Sequence, residues 1–261
     1  MRPHLATLVL LGTPLALLGT LVPGPARALD ADRYAAILER FTREVADAAG
    51  TRVDYPGLAR EPEWRRLVEQ LAGDEPGSMD ENERMAFWLN AYNVLAIDLV
   101  VRNQPLDSIR DIGSLFSPVW KRTAGRAAGR AVTLHEIEHE ILRPLGDPRI
   151  HAAIVCASTS CPSLRRDPYR SAQLDDQLDD ALRRFLADPR KGSRLEASAG
   201  VLRLSKIFDW FAEDFESGGG VIGTLAPYLP ESTRRWLEAS ETPPTLRYFD
   251  YDWSLNAIQP L

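Results

Sequence analysis

The 261-residue chain carries 31 Lys and Arg against 37 Asp and Glu, a formal net charge of −6, with 44% hydrophobic residues. Its length allows one sizeable core or two small ones, and an acidic balance without a dense Lys/Arg patch argues against nucleic acid and anionic membrane as partners. Two cysteines and four histidines are all the chain offers for thiol, imidazole or soft-metal chemistry.

The N-terminus reads as a secretory signal peptide. Arg2 gives a positive start, residues 5–22 are apolar, and Ala26-Arg27-Ala28 is a small-residue cleavage site. Gly and Pro interrupt the apolar run and no stop-transfer pattern follows, so removal of residues 1–28 is expected rather than a membrane span; a retained anchor is the alternative. Without Arg2 and Arg27, 29 basic residues face 37 acidic ones, a net charge of −8. The expected location is periplasmic or secreted, with no membrane contact after cleavage. In an oxidising compartment, two cysteines are read first as a disulfide.

Residues 30–49 place Tyr34, Ile37, Leu38, Phe41 and Val45 at helical spacing, with Gly50 as a stop. A short extended piece (51–55) and a helix at 61–72 carrying Trp64, Leu67, Val68 and Leu71 come next, closed by residues 73–78. Ser78 and Glu81 suit a capping box before residues 85–101, a helix apolar on nearly every face and therefore expected in the middle of the fold. Asn90 and Asn93 interrupt it, three apart and so neighbours on one surface; each is expected to brace another segment or to line a polar cavity.

Residues 105–118 read as a loop, and the Gly-rich run at 123–134 as a hairpin. That run lacks phosphate-loop spacing, and no cofactor is implied. A helix is predicted over 135–142, a buried strand over 150–156, and an amphipathic helix over 174–186 with a solvated acidic face. A hairpin about Gly200, an aromatic-rich helix at 207–215, a last helix at 225–237 and a strand at 245–253 complete the chain.

Several of these stretches together carry a resemblance. Ala-Phe-Trp-Leu-Asn-Ala-Tyr-Asn (86–93) and the runs at 137–143, 151–164, 204–215 and 251–256 resemble, in this order, the exported bacterial branch of the domain-of-unknown-function 547 family, over roughly residues 80–256. The resemblance implies a single domain and points to Asn90, Asn93, His139, His151 and Cys156. It names no reaction, and His135 is not among its positions.

The candidate chemistry lies in residues 135–162. His135-Glu-Ile-Glu-His139 matches the zinc-hydrolase spacing, in which two histidines one helical turn apart share a metal. Glu138 puts a charge where zinc-protease helices keep a core-facing residue, and no downstream Gly and His follow at metzincin spacing. Cys156 ends the predicted strand, and Cys161 precedes Pro162, where it is placed to cap a short helix whose dipole would lower the thiol pKa. On a strand His151 and Cys156 would point to opposite faces, which makes His139 the expected partner of Cys156.

Two functional classes follow. One is a thiol-dependent hydrolase or acyl transferase with Cys156 as nucleophile and Cys161 as substitute. His139 would be its base, with Glu138, His151, Asn90 or Asn93 as orienting or oxyanion groups. The other is a binding domain for a small molecule or peptide, with Cys156 and Cys161 bridged; closing so small a loop is worth only about 2 kcal/mol. The expected fold is α+β, a single mostly helical domain over 29–261. A central buried helix (85–101) should pack on a small sheet that includes 150–156 and 245–253.

Overall fold

The computed structural model describes residues 29–73, 79–114 and 116–258. The expected signal peptide at 1–28, most of the predicted turn at 73–78 and the predicted cap Ser78 lie outside the described residues.

Helix α1 (Ala31–Phe41) starts where the Asp30 carboxylate accepts the Arg33 N–H, and it buries Tyr34, Ile37 and Leu38. It ends well short of the predicted residue 49. From Thr42 the chain is extended, and β1 (Thr42–Glu44) pairs antiparallel with β2 (Thr51–Val53). Gly50 turns the hairpin at φ +70°, and a Cβ there would sit 2.0 Å from Ser163 Oγ. Helices α2 (Tyr55–Arg60) and α3 (Pro62–Gly73) follow, the latter burying Trp64, Leu67 and Leu71.

Helix α4 (Glu81–Asn103) is the axis of the molecule: every residue from Met85 to Val100 is buried. Its capping box joins Asp80 and Glu83 rather than Ser78 and Glu81. Near its C-terminus, Asp98 accepts from Trp64 Nε1 at 3.2 Å and from Arg102 Nε at 2.5 Å, so the one buried carboxylate of the helix is paired. The sheet element packed on α4 is the antiparallel hairpin of β3 (Thr123–Ala127) and β4 (Arg130–Thr133). Gly125 permits the approach, since a Cβ would lie 2.6 Å from Leu95 Cδ2. A π-helical segment (Glu136–Leu142) occupies the position of the predicted helix at 135–142.

The predicted strand at 150–156 does not form. Pro148–Ala152 is a 3₁₀ turn that Ala153 continues with helical backbone angles, and residues 154–156 belong to no ladder. The physical reason is Asn93: its Nδ2 donates to Ala153 O at 3.0 Å and its Oδ1 accepts the Val155 N–H at 2.8 Å. One buried amide thus satisfies backbone groups that a neighbouring strand would otherwise have paired.

Helix α5 (Leu174–Ala187) turns Leu174, Leu178, Leu182, Phe185 and Leu186 inward, as its amphipathic pattern predicts. Strands β5 (Ser193–Glu196) and β6 (Val201–Leu204) pair antiparallel, and β7 (Thr245–Tyr248) adds parallel to β6, shorter than the predicted 245–253. Between them, α6 (Ile207–Trp210) gives way to a 3₁₀ stretch (Ala212–Gly218) before α7 (Gly220–Leu225) and α8 (Glu231–Ala239).

The α+β class holds, with helices dominant. In place of one sheet joining 150–156 to 245–253, the described residues form three small sheets of two, two and three strands. One core surrounds α4; a second lies between α5, β6 and residues 207–229. Among the described residues no helix is long and apolar enough to cross a membrane.

Candidate active site

A cavity of about 290 Å³ opens where the two cores meet. Tyr92 and Ile154 line it from the α4 side and Ile207 and Phe211 from the second core, while Cys156, Cys161, Glu138, His139 and His151 supply its reactive groups.

The loop 156–161 builds the sulfur end. Ala157 is held at φ +63°, a left-handed conformation that a residue bearing a Cβ adopts at a cost of about 1 kcal/mol or more. The turn brings both sulfurs to the same face. Cys161 Sγ accepts from the Cys156 N–H at 3.1 Å and Ser158 Oγ at 3.3 Å, and Tyr251 Oη at 3.2 Å and Cys156 Sγ at 2.7 Å are each placed to donate to it. The C-terminal segment fixes this loop from outside. Thr159 N–H bonds Ser254 O, Asn256 N–H bonds Ala157 O, and Asp252 N–H bonds Ser160 Oγ. Asn256 also accepts from Tyr55 Oη at 2.6 Å, tying the segment to α2.

The two thiols are therefore unequal. Cys156 is pushed far above the usual thiol range, first by its hydrogen bond to Cys161 and then by burial. Burial alone would raise Cys161 as well, but the bonds from Cys156, Ser158, Tyr251 and the Cys156 backbone outweigh it and hold this thiol below its ordinary value. Both cysteines are free, so the expected Cys156–Cys161 disulfide is absent from the structure. The expected helix after Cys161 is absent too: residues 162–170 contain none. Hydrogen bonds, rather than a helix dipole, favour the thiolate.

Carboxylates, imidazoles and one guanidinium form the opposite end. His151, 2% exposed, meets Asp214 through Nε2 at 2.7 Å and Glu138 Oε1 through Nδ1 at 4.0 Å. Arg143 binds both Asp214 oxygens at 2.7 Å, reaches Glu213, and meets His139 Nδ1 at 2.8 Å. Burial would raise Asp214, but the bonds from Arg143 and His151 keep it below the carboxylate range. His151 is lowered by burial despite that partner. His139 is brought down to about 4, first by burial and then by His135 and Arg143. Glu138 moves the other way, up to about 7, through burial and the nearby Cys161 charge, with Tyr92 Oη 3.5 Å away. Burial therefore works against the charged form of both imidazoles and of the Glu138 carboxyl group.

Aromatic rings make the walls. Trp120 packs edge-on to Trp253 at 5.4 Å, and Trp210 lies 4.9 Å from Tyr251 and 5.8 Å from Trp253. Trp210, 45% exposed, stands at the mouth.

The structure brings five predicted residues, Cys156, Cys161, Glu138, His139 and His151, to one cavity. His151 and Cys156 line it together because the intervening chain is a 3₁₀ turn and not a strand. Among the described residues no hydrogen bond joins His139 to either sulfur. Asn90 and Asn93 brace backbone instead: Asn90 bonds both the N–H and the carbonyl of Tyr169, at 3.0 and 2.8 Å. His135 packs against His139 at a tilt of 34° with ring centres 4.3 Å apart, and among the described residues no group of three or more His, Cys, Asp or Glu is arranged to hold a metal.

Sequence reasoning did not assign Ser158, Tyr251, Asp214, Arg143 or the aromatic walls to the site. The signal was present, because Arg143 closes the run at 137–143, Asp214 lies in 204–215, and Tyr251 and Trp253 lie in 251–256.

A family model described as "Protein of unknown function, DUF547" matches residues 76–186, which supports the resemblance and spans both cysteines, His135, His139, His151 and α4. No curated protein and no solved structure matches the chain.

Proposed function

We propose that this is an exported thiol-dependent acyl-transfer enzyme, a hydrolase or acyl transferase, whose nucleophile is Cys161. The observation that carries the reading is the convergence of four donors on Cys161 Sγ inside an aromatic-walled cavity. Cys156, the nucleophile expected from the sequence, becomes the donor that holds Cys161 ionised. Glu138 takes the proton-carrying role expected of His139, since its carboxyl group titrates near neutrality while His139 Nδ1 is engaged by Arg143.

The Cys161 thiolate attacks the carbonyl carbon of an ester or thioester. The C–O or C–S bond breaks, and the leaving group takes the proton of Glu138. Water or an acceptor alcohol or thiol then attacks the acyl-cysteine, gives its proton to the Glu138 carboxylate and releases Cys161. Two acids in one low-dielectric site resist ionising together, which favours a thiolate beside a carboxylic acid. The apolar, aromatic lining favours a small apolar acyl group or peptide side chain.

Incubation of the reduced mature protein with p-nitrophenyl butyrate tests this. A burst of p-nitrophenolate with a butyryl adduct on Cys161 by peptide mass spectrometry is expected. A reduced, folded protein that forms no adduct overturns it. A second reading, a non-catalytic binding domain stapled by Cys156 and Cys161, is favoured by the 2.7 Å between the sulfurs. Thiol titration of unreduced exported protein separates the two, since that reading requires no free sulfhydryl.

A further inference from the structure

Lys191 is 2% exposed. Its Nζ donates to Cys161 O at 2.6 Å, Ala49 O at 3.1 Å and Thr159 O at 3.5 Å, so three protons meet three carbonyls. The hydrogen bonds are complete, but the charge is not matched: among the described residues no carboxylate lies within 4.0 Å of Nζ. A buried ammonium held only by neutral dipoles is costly unless an anion lies close by.

The anion is available in the residue that Lys191 grips most tightly. Gripping the Cys161 carbonyl puts Nζ within roughly 8 Å of that residue's own sulfur by covalent reach. The titrating neighbours that feel Cys161, namely Cys156, Tyr55, Tyr92, Glu138 and Tyr251, are all acids, and each adds negative charge when it ionises. Lys191 is the cation of this shell. Burial lowers it to about 8, and Cys161 opposes that more than Asp188 or Asp47 does, while Arg190 adds to the lowering.

We propose that Lys191 is a positioning residue whose ammonium, caged by three carbonyls beneath the 156–161 loop, is the counter-charge that keeps the Cys161 sulfur ionised. This rests on the reading of Cys161 as the reactive thiol. It goes further by assigning the charge balance of the site to a residue outside the cavity. A tie between segments would also explain the hydrogen bonds, so the test must read charge.

Iodoacetamide alkylation of Cys161 is followed from pH 5 to 10 in the reduced mature protein and in Lys191→Met. The expected midpoint rises by about one unit from its wild-type value of about 6, so the rate falls about fivefold at pH 6 and about ninefold at pH 5, while the rates at pH 10 coincide. Lys191→Arg should recover most of the shift. A loss of access from a loosened loop would instead lower the rate at every pH. Slow alkylation of the wild-type protein at pH 6 overturns the thiolate reading itself; fast alkylation with an unshifted Lys191→Met midpoint overturns only the role of Lys191.

Should Lys191→Met fail to fold, the reciprocal experiment keeps Lys191 in place. Coupling between two sites is mutual, so Cys161→Ser must lower the Lys191 midpoint, followed by NMR of its side-chain nitrogen. An unchanged midpoint overturns the proposal.

Discussion

The two ends of the cavity handle charge in opposite ways. At the carboxylate end, Asp214 is matched by Arg143 and His151 in direct contact, and Arg143 is shared with Glu213 and His139. At the sulfur end, four neutral donors converge on one atom with no cation in contact. Paired charges hold geometry but have little left to react with. A sulfur stabilised by neutral donors remains able to attack. Glu138, with only a long bond to Tyr92 and no ion pair in contact besides His151 at 4.0 Å, links the two ends.

The sharpest way to break this comparison is to exchange the thiols. Cys161→Ala should remove alkylation at pH 6 altogether, at least 100-fold below the wild type. Cys156→Ala should leave a reactive thiol at Cys161 with its midpoint shifted up, because one donor is lost. If the Cys161→Ala protein instead alkylates readily at Cys156, the asymmetry drawn from the hydrogen bonds is wrong.

Asn93→Ala comes next. It leaves Ala153 O and Val155 N–H buried without partners, and each orphaned group costs about 1–3 kcal/mol, so a loss of about 3 kcal/mol by urea denaturation is expected. Because those bonds support the chain leading into Cys156, alkylation at pH 6 should fall as well. A stable variant with unaltered thiol chemistry would detach α4 from the site.

The carboxylates of the opposite end should titrate stability with opposite signs. Glu138 is raised to about 7 in the folded state, so the folded protein holds its proton more tightly than the unfolded chain does. Its contribution therefore declines as pH rises from about 4.5 through 7 and is level above that. Glu138→Gln escapes this decline and should gain up to about 3 kcal/mol on the wild type between pH 5 and pH 8. Asp214 is depressed, so its contribution is present above about pH 4 and is lost as pH falls through its folded value. Asp214→Asn should destabilise at pH 7 and much less at pH 3. Parallel pH profiles for the two variants would erase the distinction between the ends.

How much of this was legible in the sequence depends on whether the partner lay nearby in the chain. The all-round apolar helix was readable because an unbroken apolar run is a property of one segment, and so was the amphipathic period of α5. The strand at 150–156 was misread for an instructive reason: its composition is strand-like, but Asn93, some sixty positions upstream, satisfies the backbone that would have paired. Similarly, helical spacing carried the prediction for α1 past Phe41, where pairing with β2 takes over. The sulfurs and imidazoles were found because so few exist. Their roles were not, because these depend on Tyr251, Arg143, Asp214 and Lys191, ordinary residues until the fold aims them. The Cys161 carbonyl on Lys191 is a contact across thirty positions that no spacing encodes.

The smallest expected effect falls on the aromatic wall. Trp210 is half exposed, stacks on Trp253 and packs at a tilt against Tyr251, so Trp210→Ala should cost less than about 1 kcal/mol of stability. It is not among the hydrogen-bond partners of Cys161 Sγ, so the iodoacetamide rate at pH 6 should be unchanged. What it should lose is affinity for an apolar ligand: the KM for p-nitrophenyl butyrate should rise several-fold while kcat holds, the mark of binding contributed equally to substrate and transition state. A fall in kcat instead would mean that the ring shapes the sulfur end through Tyr251, and the division between a reactive floor and a passive aromatic wall would have to be withdrawn.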